Sequence, residues 1–206
     1  MVLKNVNAYL KIAIPLLLAA VFISCAKKLY IDVDYQLPRS ADTLAGRTVF
    51  VETRDMRNGA EVFDQRAKNN FKHFTGLFAL SLMLPEDQHK VLGAYELPML
   101  FETALVQRLQ KLGVGVSAES APDIPVFQIK VNQFYIKLIG QKWLADVSYE
   151  VSLTQDTQLV AREVVTGSAE RMKLMGSGGA EKVISEIFTD MINRLNIERL
   201  FQQAKL

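Results

Sequence analysis

The side chains that could perform catalysis or bind a metal in this sequence are few and widely spaced. The only two histidines are His73 and His89, with Glu86 and Asp87 between them. Imidazole and carboxylate groups together could form a metal site with mixed nitrogen and oxygen ligands. However, the sequence has neither the i, i+4 histidine pair nor the cysteine spacing that such sites use. We therefore interpret these four residues as solvated loop positions and expect no metal.

The sequence supports a hydrolase site or a nucleotide-binding site no better than it supports a metal site. Ser81, His73 and Asp87 supply the residue types of a catalytic triad, but no Gly-x-Ser-x-Gly turn accompanies them. Residues 176–179, Gly-Ser-Gly-Gly, could present backbone N–H groups to an anion, yet the lysine of a phosphate-binding loop is missing. We interpret this segment as a turn before a helix. The sequence therefore predicts no enzyme, no catalytic residue and no cofactor.

The single cysteine, Cys25, directly follows a segment that is typical of exported proteins. A short basic head precedes the apolar residues 12–23, and the small Ser24 comes immediately before the cysteine. Twelve residues would span roughly 18 Å as a helix, well short of the ~30 Å hydrocarbon core of a bilayer. We therefore expect a cleaved signal peptide over residues 1–24 rather than a membrane-spanning helix.

Phe22-Ile23-Ser24-Cys25 resembles the lipobox of bacterial lipoproteins, with phenylalanine where leucine is usual. The resemblance implies that Cys25 is lipidated and becomes the mature N-terminus. A thiol is suited to thioether formation with a diacylglycerol, and acyl chains such as palmitate anchor a protein by about 0.8 kcal/mol per buried CH₂. Ala26 and Lys27 do not match the aspartate-type inner-membrane retention signal. The resemblance therefore implies the outer membrane of the bacterial cell envelope, with the chain facing the periplasm.

The charge balance argues against nucleic-acid binding. The 206 residues include 24 Lys and Arg and 22 Asp and Glu. Lys4 and Lys11 lie in the first 24 residues, which contain no acid, so the remaining chain has 22 basic and 22 acidic residues and no formal net charge. Such a chain lacks the basic excess that neutralises phosphates. About 180 remaining residues suffice for one domain with a core that needs no disulfide.

Local patterns predict the organisation of the mature chain. Residues 25–46 carry turn-forming residues and little apolar periodicity, so we expect a lipidated N-terminus and a tether. Residues 47–206 are expected to form a single periplasmic α+β domain. Its architecture should be a two-layer sandwich, with a mixed, mostly antiparallel sheet of four or five strands and two main helices on one face.

Hydrophobic periodicity places the elements of this domain. Strands are predicted over residues 48–54, 114–116, 126–138, 143–154 and 159–171, and helices over residues 97–112, 183–195 and 197–206. The three long strands should form an antiparallel meander with one wet face, because apolar and polar residues alternate in the middle one. The first strand, the first helix and the short strand after it could form a crossover with parallel pairing.

The apolar segment, residues 71–84, contains more hydrophobic surface than an ordinary connection needs. Phe71, Phe74, Phe78 and Leu82 follow helical spacing, but other apolar residues surround them. One interpretation folds the segment onto the core as a third helix or a hairpin, since burial is the usual fate of such residues. The other leaves part of it available to a lipid, a membrane face or a partner. On the second interpretation these four residues form a candidate contact surface.

Taken together, these features resemble YajG-type bacterial lipoproteins, which are related in layout to LptE-like and PqiC-like accessory lipoproteins. The resemblance is carried by the lipobox, the strand that runs into Asp55-Met56-Arg57, the leucine-rich helix, the meander with Ser168-Ala169-Glu170-Arg171, and the closing helix. It implies a membrane-anchored, non-catalytic subunit that docks on an envelope protein complex in assembly or transport. The alternative is a lipoprotein that carries a lipid or another amphiphile in a groove.

Overall fold

The structure, a computed structural model, describes residues 29–39, 42–59, 61–83, 89–173 and 179–206. Its elements in chain order are β1 Tyr30–Gln36, β2 Thr48–Asp55, α1 Gln65–Lys68, β3 Leu77–Met83, β4 His89–Tyr95, α2 Leu97–Lys111, β5 Gly115–Ser117, β6 Val126–Ile139, β7 Lys142–Gln155, β8 Gln158–Met172, α3 Ala180–Arg194 and α4 Ile197–Ala204. No helix in these ranges combines the length and the apolar character needed to cross a bilayer. The fold is mixed α+β, as predicted.

A five-stranded sheet has the order β5-β2-β6-β7-β8. The long strands β6, β7 and β8 pair antiparallel, which confirms the meander. Strand β2 pairs in parallel with both β5 and β6, so α2 belongs to a connection between parallel strands. Two of its four strand pairings are therefore parallel, and this sheet is mixed rather than mostly antiparallel.

A second, three-stranded sheet corrects the expected tether. It has the order β1-β3-β4, and β1 pairs in parallel with β3. Ile31, Val33 and Tyr35 of β1 are buried in the core. The expectation of a tether over residues 25–46 is thus wrong over Tyr30–Gln36, because three alternating apolar side chains hold this seven-residue strand against the domain.

Half of the apolar segment, Leu77–Met83, forms one strand of a hairpin rather than a helix. Strand β3 lies between β1 and β4 and pairs antiparallel with β4. Phe78, Leu80 and Leu82 are buried on one face, while Leu77 and Met83 are half-buried on the other. Central strands have little solvent exposure on either face, so their sequences are apolar throughout. This explains why the segment appeared too hydrophobic for a simple amphipathic helix.

Helices α2 and α3 are joined through an aromatic cluster in the core. The ring of Phe101 on α2 lies 5.3 Å from those of Tyr149 and Phe188, and 6.1 Å from that of Phe134. Edge-on aromatic pairs of this kind add about 0.5–1.5 kcal/mol each beyond the area they bury. Arg108, also on α2, donates to the carbonyls of Ile192 and Leu195 at the end of α3. A cation at this helix terminus stabilises the macrodipole.

The free edge of β1 is covered by side chains of α3. Ser185 accepts a hydrogen bond from the Asp34 N–H at 3.0 Å. Thr189 accepts from the Gln36 N–H and donates to the Asp34 carbonyl, both at 3.2 Å. Asn193 donates to the Gln36 carbonyl at 2.9 Å. Because these three residues are spaced by four, they lie on one face of α3 and replace a neighbouring strand.

Candidate functional site

A cavity of about 740 Å³, which we call the Arg57 pocket, lies beyond the C-terminal end of β2. It is enclosed by the end of β2, the segment around α1, the turn before β3 and the start of α2. The residues that define it here are Asp55, Arg57, Phe63, Phe71, Phe74 and Pro98. Its volume falls within the roughly 300–1,000 Å³ that is usual for small-molecule sites.

The pocket exists because the chain leaves the large sheet and returns to it. Strand β2 pairs with β6 up to the partners Asp55 and Val131. Here β6 has a bulge between Val131 and Gln133, and the chain after β2 departs from the sheet. It returns where Phe63 forms an isolated bridge to Ile136. Bulges terminate pairing and bend a strand locally, so this stretch of the β6 edge is open to a side chain from elsewhere.

Arg57 lies beside this opening, since it lines a cleft together with Gln133 and Tyr135 of β6. Its Nε donates to Asp55 Oδ1 at 2.9 Å and its Nη2 to Asp55 Oδ2 at 2.7 Å. This two-pronged geometry is the strongest form of an arginine–carboxylate pair. The hydrogen bonds from Arg57 hold the pKa of Asp55 below its usual range, although partial burial opposes the shift. The pair is therefore charged at neutral pH.

One nitrogen of Arg57 is left over. The side chain is only 9% exposed, and Nη1 is shielded from solvent with no hydrogen-bond partner among the described residues. Burying a polar donor without a partner costs about 1–3 kcal/mol, and more for a charged group. Arg57 thus has donor capacity that its own fold does not use, and it lines the pocket.

The opposite wall of the pocket is aromatic. The rings of Phe63 and Phe71 are stacked with centroids 4.8 Å apart, and Phe74 meets Phe63 edge-on at 5.3 Å. Phe71 in turn lies 5.8 Å from Trp143, which is the only tryptophan of the chain and is buried. Phe71 and Phe74 are half-buried and pack on the core from the outside. The pocket therefore combines an aromatic wall with a largely shielded guanidinium.

The rim is positioned by local hydrogen bonds. Asp64 accepts from the Ala67 N–H at 2.7 Å and so caps the single turn of α1. Lys68 at the end of α1 forms an ion pair with Glu61. On another side, Thr75 donates its hydroxyl and its N–H to the carbonyl of Leu29, at 2.8 and 3.0 Å. The rim is thereby tied to the residue that precedes β1.

The candidate contact surface is divided by the structure. Phe71 and Phe74 line the Arg57 pocket. Phe78 and Leu82 are 0% and 3% exposed. These two belong to the core, which corrects their assignment to a contact surface, because both point to the inward face of β3. Cys25, the predicted lipidation site, lies outside the described residues.

The residues weighed for other chemistry are dispersed. His73 is exposed in a turn, and His89 is exposed at the start of β4 with its Nδ1 3.9 Å from Asp34 Oδ1. Ser81 lies in β3. Within the part of the chain that the structure describes, no group of three His, Cys, Asp or Glu could hold a metal ion. Glu86, Asp87 and most of residues 176–179 lie outside it.

A second cavity of about 800 Å³ lies between β1 and α3. It runs along the hydrogen bonds between α3 side chains and the β1 edge. Glu186 and Asp190 on its lining pair with Arg171 and Arg194. Its polar groups thus join α3 to β1 and, through Arg171, to β8, or pair within α3, and we regard this groove as structural.

Sequence reasoning identified the Asp55-Met56-Arg57 motif but not the burial of Arg57. The signal was present, since residues two apart at the end of a strand lie on the same side and can pair. The pocket itself could not be found this way, because its lining joins the end of β2, residues 61–63, residues 68–76 and the start of α2, which are separate in the sequence.

Comparisons with known proteins give distant structural likenesses. No family model matches the chain, and no curated protein matches its sequence. A protein of Xanthomonas campestris described by the family model DUF330 has a TM-score of 0.47 at 12% identity, covering 85% of this chain and 99% of its own. The rare lipoprotein B of Shewanella oneidensis has a TM-score of 0.41 at 10% identity, covering 51% and 88%. A minor lipoprotein of Acinetobacter baumannii has a TM-score of 0.35 at 16% identity, covering 48% and 84%. Likenesses of this size do not assign the chain to a family.

Proposed function

We propose that this protein is a lipid-anchored lipoprotein of the bacterial outer membrane that faces the periplasm. It acts as a non-catalytic accessory subunit that docks on an envelope protein complex in assembly or transport. The observation that carries the proposal is the position of the only cysteine, Cys25, at the end of a signal-like apolar stretch. At the level of the family, we propose that it is a YajG-type lipoprotein.

The short stretch of chain between Cys25 and the domain supports an anchored arrangement. Only three residues lie between Cys25 and Leu29, and β1 begins at Tyr30. An extended chain covers at most about 3.6 Å per residue, so the cysteine is within about 14 Å of Leu29. A domain held this closely would lie against the membrane surface rather than on a long tether.

Metabolic labelling with radioactive palmitate, followed by membrane fractionation, tests the anchor. We expect label on the wild-type chain and on Ser24→Ala, which keeps a small residue before the cut. Cys25→Ala should lose the label, keep its signal peptide and leave the outer-membrane fraction. Labelled Cys25→Ala, or wild-type chain that never takes up palmitate, would overturn the proposal.

Crosslinking in intact envelopes followed by mass spectrometry tests the docking role. We expect the wild-type chain to crosslink reproducibly to one set of envelope proteins, and Cys25→Ala to lose those crosslinks. A chain that crosslinks only to itself would contradict an accessory role.

The second candidate function is a carrier of a lipid or another amphiphile, and the Arg57 pocket specifically favours it. A carrier would retain an extractable lipid after purification of the full chain in detergent, whereas a docking subunit would not. Solvent extraction and mass spectrometry of the purified chain distinguish the two.

A further inference from the structure

We propose that two copies of this chain dimerise by pairing their β8 strands antiparallel, edge to edge, so that the two five-stranded sheets become one. Thr166 would lie on the two-fold axis, and Arg162 of each copy would pair with Glu170 of the other. The inference concerns self-association and goes beyond the proposed function. The exposed edge of β8 and the symmetric placement of opposite charges along it carry the inference.

Strand β8 presents a long edge that has no neighbouring strand in the described part of the chain. It is the last strand of the large sheet and has 15 residues. The edge of β1 is covered by α3, and the outer strands β5 and β4 have only three and seven residues. Lysine, proline and bulges are devices that keep a strand edge from pairing. From Ala161 to Met172, β8 contains none of these three.

The backbone groups that point out of this edge belong to alternate residues. Lys173 donates its N–H to the Gln141 carbonyl at 2.7 Å, and these two residues flank the opposed pair of Lys142 and Met172. Bonded and non-bonded pairs alternate along an antiparallel ladder, so the N–H and the carbonyl of Met172 point away from β7. The register has no shift from Met172 back to Ala161. The same direction therefore holds for every second residue, namely Glu170, Ser168, Thr166, Val164 and Arg162.

The charges along the edge select one register. Two such edges must oppose residues of this outward set, because only their N–H and carbonyl groups point toward the second copy. With Thr166 on the two-fold axis, Arg162 lies opposite Glu170 of the second copy, and the symmetry forms this pair twice. Moving the axis by one residue in either direction would place Arg162 opposite Ser168 or Met172. Opposite charges directly across a sheet are stabilising, so the edge is complementary to itself in the first register.

Both charged side chains have capacity for a further partner. Arg162 is 55% exposed and reaches Glu150 of β7 through Nη2, while Glu170 is 60% exposed and reaches Lys142 of β7 through Oε1. A guanidinium has five N–H donors and a carboxylate has two oxygens. Across the dimer, the two β7 side chains and the two β8 side chains would form a row of alternating sign, in the order Glu150, Arg162, Glu170, Lys142. Charges in such a network contribute more than an isolated exposed pair does.

The rest of the strand is compatible with this register. Val164 is 50% exposed, and pairing would remove part of its surface from water. The inward-facing charged residues, Glu163 and Arg171, would each lie opposite an alanine, so no like charges are brought together. Arg194 of α3 donates to the Thr166 carbonyl at 3.5 Å, a long contact for a hydrogen bond. The N–H of Thr166 in the second copy would replace it with a backbone bond of ordinary length.

Cysteine crosslinking tests the register. Thr166→Cys is introduced into the full Cys25→Ala chain in neutral detergent micelles, so that it is the only cysteine. Directly opposed residues of a ladder have Cα atoms about 5.5 Å apart, within reach of a disulfide. Oxidation with copper phenanthroline should therefore link most of the chain into dimers. Ser168→Cys is the matched control on the same face, and it should give at least about fivefold less dimer because its two copies would be about 13 Å apart along the strands.

Charge reversal tests the two pairing residues. Sedimentation equilibrium of the full chain in density-matched micelles measures the dissociation constant of the dimer. Arg162→Glu alone, or Glu170→Arg alone, should raise this constant at least about fivefold. The double variant should return it to within about threefold of the wild type, because reversing both charges keeps the pair between copies. The contacts of both side chains with β7 become repulsive in the double variant, so the rescue cannot arise within one chain.

Arg54→Glu is the control for charge reversal, since Arg54 is exposed on β2 away from the β8 edge and should dimerise as the wild type does. If Arg162→Glu does not fold, Arg162→Gln removes the pair without adding repulsion and should still weaken the dimer a few-fold. A wild-type chain that stays monomeric at about 0.1 mM would overturn the proposal. Equal crosslinking at both cysteine positions, or single and double charge variants that dimerise equally, would overturn it as well.

Discussion

One strand edge of this molecule is closed by hydrogen bonds from a helix, whereas another loses its partner strand partway along. The difference separates polar groups with a structural role from a candidate functional position. The free edge of β1 is matched by Ser185, Thr189 and Asn193, which satisfy the N–H and carbonyl groups of Asp34 and Gln36. The edge of β6 loses its partner strand after Val131, and Gln133 and Tyr135 there line a separate cleft together with Arg57. One edge is closed by matched hydrogen bonds, and beside the other Arg57 keeps a shielded nitrogen that has no partner in the described part of the chain.

Exposed strand edges tend to pair with other chains, so proteins usually cover them. Helix α3 covers β1 in this way, and its polar side chains there have a structural explanation. Around Arg57 no comparable explanation accounts for the unpartnered donor. Buried polar groups without partners are few in folded proteins and often mark functional positions. The comparison therefore identifies the β6 edge as the place to look for a ligand.

The largest expected effect is a difference in stability between substitutions at a fully buried and at a half-buried phenylalanine of the apolar segment. Phe78→Ala should lower the free energy of unfolding by about 3–5 kcal/mol, because the fully buried ring leaves a cavity. Phe74→Ala should cost about 1–2 kcal/mol, because its half-buried ring has less surface to lose. Chemical denaturation of both variants measures the difference. Equal losses would mean that Phe74 belongs to the core as fully as Phe78 does.

The hydrogen bonds that cover the β1 edge can be removed by replacing the three α3 side chains that form them. Ser185→Ala, Thr189→Val and Asn193→Leu together should destabilise the protein by about 2–3 kcal/mol, since each net hydrogen bond contributes about 0.5–1.5 kcal/mol. Hydrogen exchange at Asp34 and Gln36 should accelerate in the triple variant. Asp190→Asn on the same helix breaks only an exposed pair with Arg194 and serves as the control. Unchanged exchange in the triple variant would show that the edge is protected by something else.

Breaking the ion pair between Arg57 and Asp55 should have a smaller, pH-dependent effect on the free energy of unfolding. Arg57→Gln should cost about 1 kcal/mol at pH 7, because Asp55 is partly exposed and can be hydrated. The pKa of Asp55 is lowered in the folded state, so its contribution is present above the unfolded value of about 3.9 and disappears as the pH falls through the lowered folded value. Denaturation at neutral and strongly acidic pH should therefore show the variant and the wild type converging in acid. A constant difference would exclude the charged pair as the cause.

The smallest expected effect is that of the neighbouring exposed arginine. Arg54→Gln should change the free energy of unfolding by less than about 0.5 kcal/mol. Glu52 should keep a lowered pKa, because its largest stabilising contact is the hydrogen bond from Gln128 at 2.9 Å rather than Arg54. An NMR titration of Glu52 measures this. A full return of its pKa to the ordinary value would make Arg54 the dominant partner.

Much of the fold followed from local patterns. The alternation in β7 predicted a strand with one buried face, and the apolar spacing after Pro98 predicted α2, because side-chain periodicity directly reports the face that is buried. For residues 71–84 the apolar residues left both a helix and a hairpin open, and the structure has strand β3 over Leu77–Met83. The pattern failed for β1, where Ile31, Val33 and Tyr35 alternate but the surrounding residues resemble a linker.

The sequence by itself determined the α+β class, the meander, the helices and the prediction of a lipid anchor at Cys25, since each depends on residues close together in the chain. Only the tertiary structure decided that β1 pairs with β3, that Phe78 is core while Phe74 lines a pocket, and that Arg57 Nη1 is shielded with no hydrogen-bond partner among the described residues. These features join segments that are distant in sequence. Their burial depends on what packs against them, and local periodicity carries no information about that.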